Sequence, residues 1–415
     1  MKQILKQTSW LIIAQVLTKV IGFFYTIFLA RNLGVSDFGL FTVALTYFSL
    51  VSATTDFGFN RFLIREIARD QFKPAQLIFG ISLLRLMLTA VLFAVLSIFL
   101  YLFDPDKIRV SLTLLGVLAV FPLALGQVLD AIFIGFKKMQ YSAIALVVLN
   151  ASTAFLGIIL INLKFGTIGA VAALILGQLV YLIFLLLSLH IQKIQLFSVV
   201  KTAVLKEIIR GSLPYGILGI LGLIYFRVDI LLLSYLRGNF DTGIYGIAYK
   251  FFEAVVFIPS ALSTVLFPHF AKLHTDNLDQ VVKLYFKSLK ILFALSIVIV
   301  LAYILILPLV IQTFLPNYLP AISAIKILSI AIPFMFCHFP AASVLLSTDK
   351  YLKATFWLSL LMLSLNIALN LIFIPKSGLV AASWITVFSE ALSFLIFFKF
   401  LMKNFKGKVY EKELG

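Results

Sequence analysis

The sequence predicts an all-α integral membrane protein of about twelve transmembrane helices, in two six-helix bundles related by a pseudo-two-fold axis along the membrane normal. Three observations predict it. Hydrophobic residues make up 62% of the 415 and charged residues only 12%, against roughly 45–50% apolar residues in soluble domains. The apolar residues fall in uninterrupted runs close to the about 20 residues that cross a bilayer as a helix. A motif in the first half of the chain returns in the second. Inside a bilayer no water satisfies exposed backbone groups, so only helices or closed barrels cross. Runs without dyad alternation favour helices.

The first span, 8–30, follows Lys2 and Lys6 as a signal sequence would. It continues to Ala30 with no small-x-small cleavage site, which predicts a retained helix. Spans at 38–58, 76–102, 110–135, 140–162 and 167–189 complete a first bundle over 1–189. Segment 190–210 sets Val199, Val200, Ala203, Val204 and Ile208 against Lys201, Lys206, Glu207 and Arg210. That pattern suits an amphipathic cytoplasmic linker lying on the membrane surface. Spans at 211–236, 243–267, 287–313, 320–346, 354–374 and 378–401 form a second bundle over 211–401, and 402–415 a cytoplasmic tail.

The net charge of +17 has a topological explanation. With the N-terminus in the cytoplasm, 23 of the 34 basic residues fall on that side, six on the other and five within spans. Positive residues mark the cytoplasmic side, so both termini are expected there and nucleic acid is dropped as a partner. The expected location is the cytoplasmic (inner) membrane of a bacterium.

Gly34, Asp37, Gly39, Phe41 and Ala44 recur 204 residues on as Gly238, Asp241, Gly243, Tyr245 and Ala248. Each set lies between the first and second helix of its half. Six helices separate the copies, an even number, so the halves share one orientation, as parallel repeats with a substrate path between them do.

Ionisable groups at bilayer depth cost roughly 2.5–3.5 kcal/mol each on insertion scales and face a cavity or a partner. The cations expected there are Lys19, Arg85, Arg227, Lys250 and Lys326. The acids are Asp229, Glu253 and Glu390, with Asp56 and Asp130 nearer the cytoplasmic ends. Lys250 and Glu253 share a helix face and can neutralise each other. Arg227 and Asp229, two apart, cannot. Lys19 and Arg85 have no acid in neighbouring turns, which points to a polar cavity. A cationic lumen attracts an anionic diphosphate or acidic sugar, and Arg grips phosphate oxygens in bidentate fashion. The acids serve either as ion-coupling groups or as countercharges.

Pro214, Gly216, Gly219 and Gly222 in the seventh span suit either close helix packing or a bend for alternating access. No phosphate-binding glycine loop is present, which argues against an internal ATP motor. The lone Cys337 and scattered His190, His269, His274 and His338 offer no metal site. No cofactor is expected. External loops of about ten residues carry no acidic pair of the kind acid–base catalysis needs, so a membrane enzyme is disfavoured. A small-molecule or drug exporter on the same scaffold remains the rival reading. Drug exporters favour cavity acids for cationic cargo, whereas cations here match or exceed acids.

Lys19-Val-Ile-Gly-Phe, Leu29-Ala-Arg31-Asn-Leu33-Gly34-Val-Ser-Asp37-Phe-Gly39-Leu-Phe41, Asp56-Phe-Gly58 and Ile64-Arg65-Glu66 resemble the opening of the polysaccharide-biosynthesis flippases. These are the Wzx-type O-antigen exporters of the multidrug/oligosaccharidyl-lipid/polysaccharide superfamily. The turn Gly135-Phe-Lys137-Lys138-Met139 is similar too. The resemblance implies two six-helix bundles around a cationic lumen that moves an undecaprenyl-diphosphate-linked oligosaccharide between leaflets, its lipid tail staying in the bilayer. It also implies lipopolysaccharide or capsule polymerases and other polysaccharide-assembly proteins as partners. The family's first-helix basic position falls on Lys19, and its Ala-Arg-x-Leu-Gly arginine on Arg31.

Overall fold

The computed structural model describes residues 2–69, 74–194, 202–276 and 278–413, and every regular element among them is helical. Eleven helical stretches among them are long and apolar enough to cross a membrane. The last, Leu352–Phe405, spans 54 residues, over twice the about 20 a crossing needs. It lies in a helix, Leu352–Glu413, that breaks at Gly378, where φ is 54° and ψ −132°. That break separates the two predicted spans 354–374 and 378–401, so the twelve expected crossings are present.

The chain divides into two compact units, Met1–Arg227 and Val228–Gly415. The first contains α1 (Lys2–Leu33), α2 (Val35–Asp56), α3 (Phe59–Arg69), α4 (Pro74–Phe103), α5 (Lys107–Leu118), α6 (Val120–Gly135), α7 (Met139–Asn162) and α8 (Gly166–Ile191). It also takes most of α9 (Thr202–Arg237). Helix α7 packs on α1 and α8, α2 on α5, and α6 on α3, α4 and α8. Asp106 starts α5 by accepting the amides of Ile108 and Arg109, as an N-cap should. The second unit contains the end of α9, then α10 (Asn239–Asp276), α11 (Leu278–Leu305), α12 (Leu307–Phe314), α13 (Ala321–Leu346) and α14 (Leu352–Glu413). There α13 is the central helix, packed against α10, α11 and α14.

The repeat read in the sequence is also a repeat of backbone conformation. Gly34 ends α1 and starts α2 at φ +81°, and Gly238 ends α9 and starts α10 at φ +85°. Only glycine adopts that left-handed geometry at little cost.

Two helical segments lie outside the spans read from apolar length. Residues between the second and third spans carry no long apolar run, yet Phe59–Arg69 forms the amphipathic α3. It packs on α6 and α4, and its Phe59, Phe62, Leu63 and Ile67 are buried in one apolar cluster with Leu129, Ile132 and Phe133 of α6 and Leu77, Ile78 and Ile81 of α4. Burying such side chains from water contributes about 1.5–3 kcal/mol each, enough to fix an eleven-residue helix. Gly135 permits the close approach, since a Cβ there would lie 2.9 Å from Ile67. Part of the linker expected at 190–210 is described. Residues 202–210 are already helical and run into the span as one helix, because Val204, Leu205 and Ile208 pack into the α3 cluster. Residues 195–201 of that expected linker, with Lys201, and Lys73 lie outside the described residues. The expected tail is helical to Glu413.

The Gly135–Met139 turn works as a brace. Lys137 takes φ +58°, and Lys138 Nζ donates to Gln192 Oε1 at 2.5 Å. Gln192 donates in turn to the Tyr141 hydroxyl at 2.8 Å.

Candidate functional site

In the first unit the structure buries Arg85 completely. Its Nη1 donates to Asn60 Oδ1 at 3.0 Å and lies 3.4 Å from Asp56 Oδ1. Its Nη2 donates to Gln127 Oε1 at 2.6 Å. The expectation of a water-facing Arg85 is therefore corrected. Its acid comes from the end of α2 rather than from its own helix, and its surface is taken up by α2, α3 and α6. Asp130 lies three residues beyond Gln127 on α6.

Lys19 on α1, Arg31 near the end of α1 and Lys326 on α13 are exposed, while Arg227 is half-buried on α9. Lys250 and Glu253 form the expected pair along α10, 3.5 Å apart and both half-buried. Each neutralises the other.

The other two acids are deep inside the second unit. Asp229, on α9, and Glu390, on α14, are each 4% exposed. The Tyr245 hydroxyl of α10 donates to Asp229 Oδ2 at 2.5 Å and lies 3.4 Å from Thr386 Oγ1 of α14. Thr386 donates to the Ala382 carbonyl one turn earlier. Glu390 is the next turn of the same helix. Beside it, Asn366 donates to Ser389 Oγ at 3.1 Å and Asn370 donates to Asn366. Three helices thus place an acidic, hydroxyl- and amide-rich seam inside the unit.

The repeat supplies an internal control for this seam. Lys164-Phe-Gly166 opens α8 and recurs 212 residues on as Lys376-Ser-Gly378 in α14, with Gly166 and Gly378 at φ +53° and +54°. Aligned through both repeats, Asp229, Tyr245, Thr386 and Glu390 correspond to Tyr25, Phe41, Leu174 and Gln178. The first unit builds the same helices with no carboxyl at these places. This second repeat was legible as Lys-x-Gly before the last span of each half, and sequence reading passed over it.

Twelve membrane-length apolar spans, with ionisable groups buried among them, define a multi-pass membrane transporter. A family model described as polysaccharide biosynthesis protein matches residues 4–274, and the chain belongs to that family. An uncharacterized membrane protein of Methanocaldococcus jannaschii is 24% identical over 98% of this chain and 86% of its own length. A second from the same organism is 26% identical over 63% of this chain and 64% of its own.

Solved structures of the MOP superfamily share the fold. An inward-facing multidrug resistance transporter of the MATE family matches with a TM-score of 0.76, covering 92% of this chain and 94% of that one at 16% identity. A Pyrococcus furiosus transporter of the superfamily, described as having a binding pocket of reverse polarity, matches at 0.70, covering 97% and 96% at 16% identity.

Proposed function

We propose that this transporter moves an undecaprenyl-diphosphate-linked oligosaccharide, of the O-antigen or capsule type, from the cytoplasmic to the outer leaflet by alternating access. Membership of the polysaccharide biosynthesis family carries the reading. The cations with accessible surface support it. Lys19, Arg31, Arg227 and Lys326 are the groups assigned to the anionic headgroup, with arginine suited to gripping phosphate oxygens in pairs. Lys250 is assigned a lesser role because Glu253 neutralises it. Asp229 and Glu390 are the groups assigned to ion coupling, on the strength of their absence from the matching places in the first unit. Glu253 is a countercharge.

The test uses purified protein in proteoliposomes and a fluorescent undecaprenyl-diphosphate disaccharide, with leaflet exchange read by chemical quenching. Lys19→Ala and Arg227→Ala are each expected to slow exchange by about tenfold or more, since hydrogen bonds to charged groups contribute about 1.5–3 kcal/mol. Asp229→Asn and Glu390→Gln should remove the response to an imposed ion gradient. Parent-like exchange by both cation variants, at equal protein abundance, refutes the headgroup assignment.

A second reading, export of small molecules, is favoured by the likeness in fold to a multidrug resistance transporter and by the two buried acids. The same vesicles loaded with a lipophilic cationic dye separate the two. Dye efflux without exchange of the lipid-linked sugar selects the exporter.

A further inference from the structure

Arg85 is fully buried, yet it belongs to neither set of groups assigned to cargo or ion. What it holds is a turn. Helix α2 ends at Asp56 and α3 begins at Phe59, and the two residues between the helices, Phe57 and Gly58, both take left-handed conformations, φ +39° and +82°. Such a conformation costs a non-glycine residue roughly 1–2 kcal/mol, so Phe57 must be held there. One guanidinium reaches both sides of the turn, Asp56 before it and Asn60 after it. Gln127 of α6 fixes the other end of that guanidinium. Asp56 also accepts the Asn60 amide at 3.3 Å, closing the turn on itself.

The outer face of the same turn is the seat of α9. A Cβ on Gly216 would stand 2.8 Å from the Phe57 carbonyl oxygen and 2.9 Å from its carbonyl carbon, both backbone atoms that cannot swing aside. A Cβ on Gly211 would enter the Phe62 ring of α3. Two glycines on α9 therefore match two successive features of the α2–α3 junction, and Ile208 one turn earlier is completely buried in the same cluster.

We propose that Arg85 is a positioning residue for transport, holding the Asp56–Asn60 turn in the shape on which the first turns of α9 are docked. It acts through the turn, not on the cargo. The docking keeps the start of α9 fixed to the first unit throughout the cycle. The inference rests on the transport reading, but part of its test does not.

The experiment starts from Cys337→Ala, which removes the chain's one cysteine. Phe62→Cys and Gly211→Cys are then combined, so that a disulfide fills the space the ring leaves. In isolated membranes this pair should oxidise readily. Adding Arg85→Met should slow that oxidation by about tenfold or more, because removing one partner of a buried charge network is costly. In proteoliposomes with the fluorescent undecaprenyl-diphosphate disaccharide, Arg85→Met should lose exchange, and forming the 62–211 disulfide should restore it.

A group that binds cargo cannot be replaced by a distant disulfide, so this rescue separates positioning from binding. Oxidation at the parent rate in Arg85→Met overturns the proposal. So does loss of exchange that the disulfide fails to restore, or arrest of the parent by the disulfide. Should Arg85→Met not accumulate, Asp56→Asn makes the same comparison, keeping the volume and removing the charge. If the parent moves no lipid-linked sugar, the cargo reading fails, while the oxidation rates still decide whether Arg85 positions α9.

Discussion

Single charges are accommodated in this chain by three distinct arrangements, and each sets what a substitution does. Arg85 is met by one acid and two neutral amides, Asp229 by a tyrosine hydroxyl, and Arg109 by a carboxylate in two-point contact. In that last pair Nε and Nη2 of Arg109 donate to the two oxygens of Asp104 at 2.7 and 2.6 Å, both side chains buried. Asp104 also accepts the Asp106 amide, the residue that caps α5. Arg109→Ala leaves that carboxylate buried without its cation and is expected to destabilise the protein by about 3–5 kcal/mol. A lowered midpoint of thermal unfolding in detergent measures it, and an unchanged midpoint contradicts it. These partners differ in how far a sequence shows them. Lys250 and Glu253 lie one turn apart and their pairing is visible in the spacing alone. Asn60 and Gln127 stand 25 and 42 residues from Arg85, and only the packing of α4 against its neighbours brings them together. Searching the turns of its own helix finds no partner for Arg85, which is why a cavity was expected for it.

At the scale of elements, the long apolar runs were legible because a bilayer demands them, and ten of the predicted spans coincide with separate helical stretches. The remaining two share α14, where the sequence places Pro375 and Gly378 close together. Gly378 is needed for more than its φ of +54°. A Cβ there would lie 2.7 Å from Asp241 Oδ2 and 3.2 Å from Arg237 Nε, and those two groups are bonded to each other at 3.1 Å across the α9–α10 turn. The break in α14 is thus seated on the repeat motif's aspartate. Gly378→Ala strains the backbone and pushes the ends of the partly exposed Asp241 and Arg237 side chains aside, and about 1–3 kcal/mol of destabilisation is expected. The readout is again the unfolding midpoint, with Gly166→Ala as the comparison. At Gly166 the φ is similar, but nothing lies within 4 Å of the added Cβ, so strain alone should register. Equal effects at both positions would remove the role given to the Arg237–Asp241 pair. Helix α3 shows the limit of reading by apolar length. Its eleven residues include three arginines and a glutamate, and it is held by the single apolar stripe it turns toward α6 and α4.

For the molecule as a whole, the glycines of α9 divide the helix that joins the two units. Read in sequence, Gly216, Gly219 and Gly222 suit either close helix packing or a bend, with nothing to tell the three apart. In the structure Gly216 is pressed against the Phe57 backbone, whereas a Cβ on Gly219 or Gly222 would meet nothing within 4 Å. Packing explains the first and does not explain the other two. Glycine in a helix interior costs about 1 kcal/mol relative to alanine, and open space offers no packing in return. What glycine supplies there is a soft place in the backbone, five to eight residues before the point where the first compact unit ends at Arg227. If that softness serves transport, stability and turnover must move in opposite directions. Gly219→Ala and Gly222→Ala are each expected to stabilise by about 0.4–1 kcal/mol through reduced freedom of the unfolded chain, and to slow exchange of the lipid-linked sugar. Gly216→Ala should lower both stability and exchange, because its Cβ has no room. A double Gly219→Ala, Gly222→Ala protein that is more stable and transports as fast as the parent would show that α9 does not bend there.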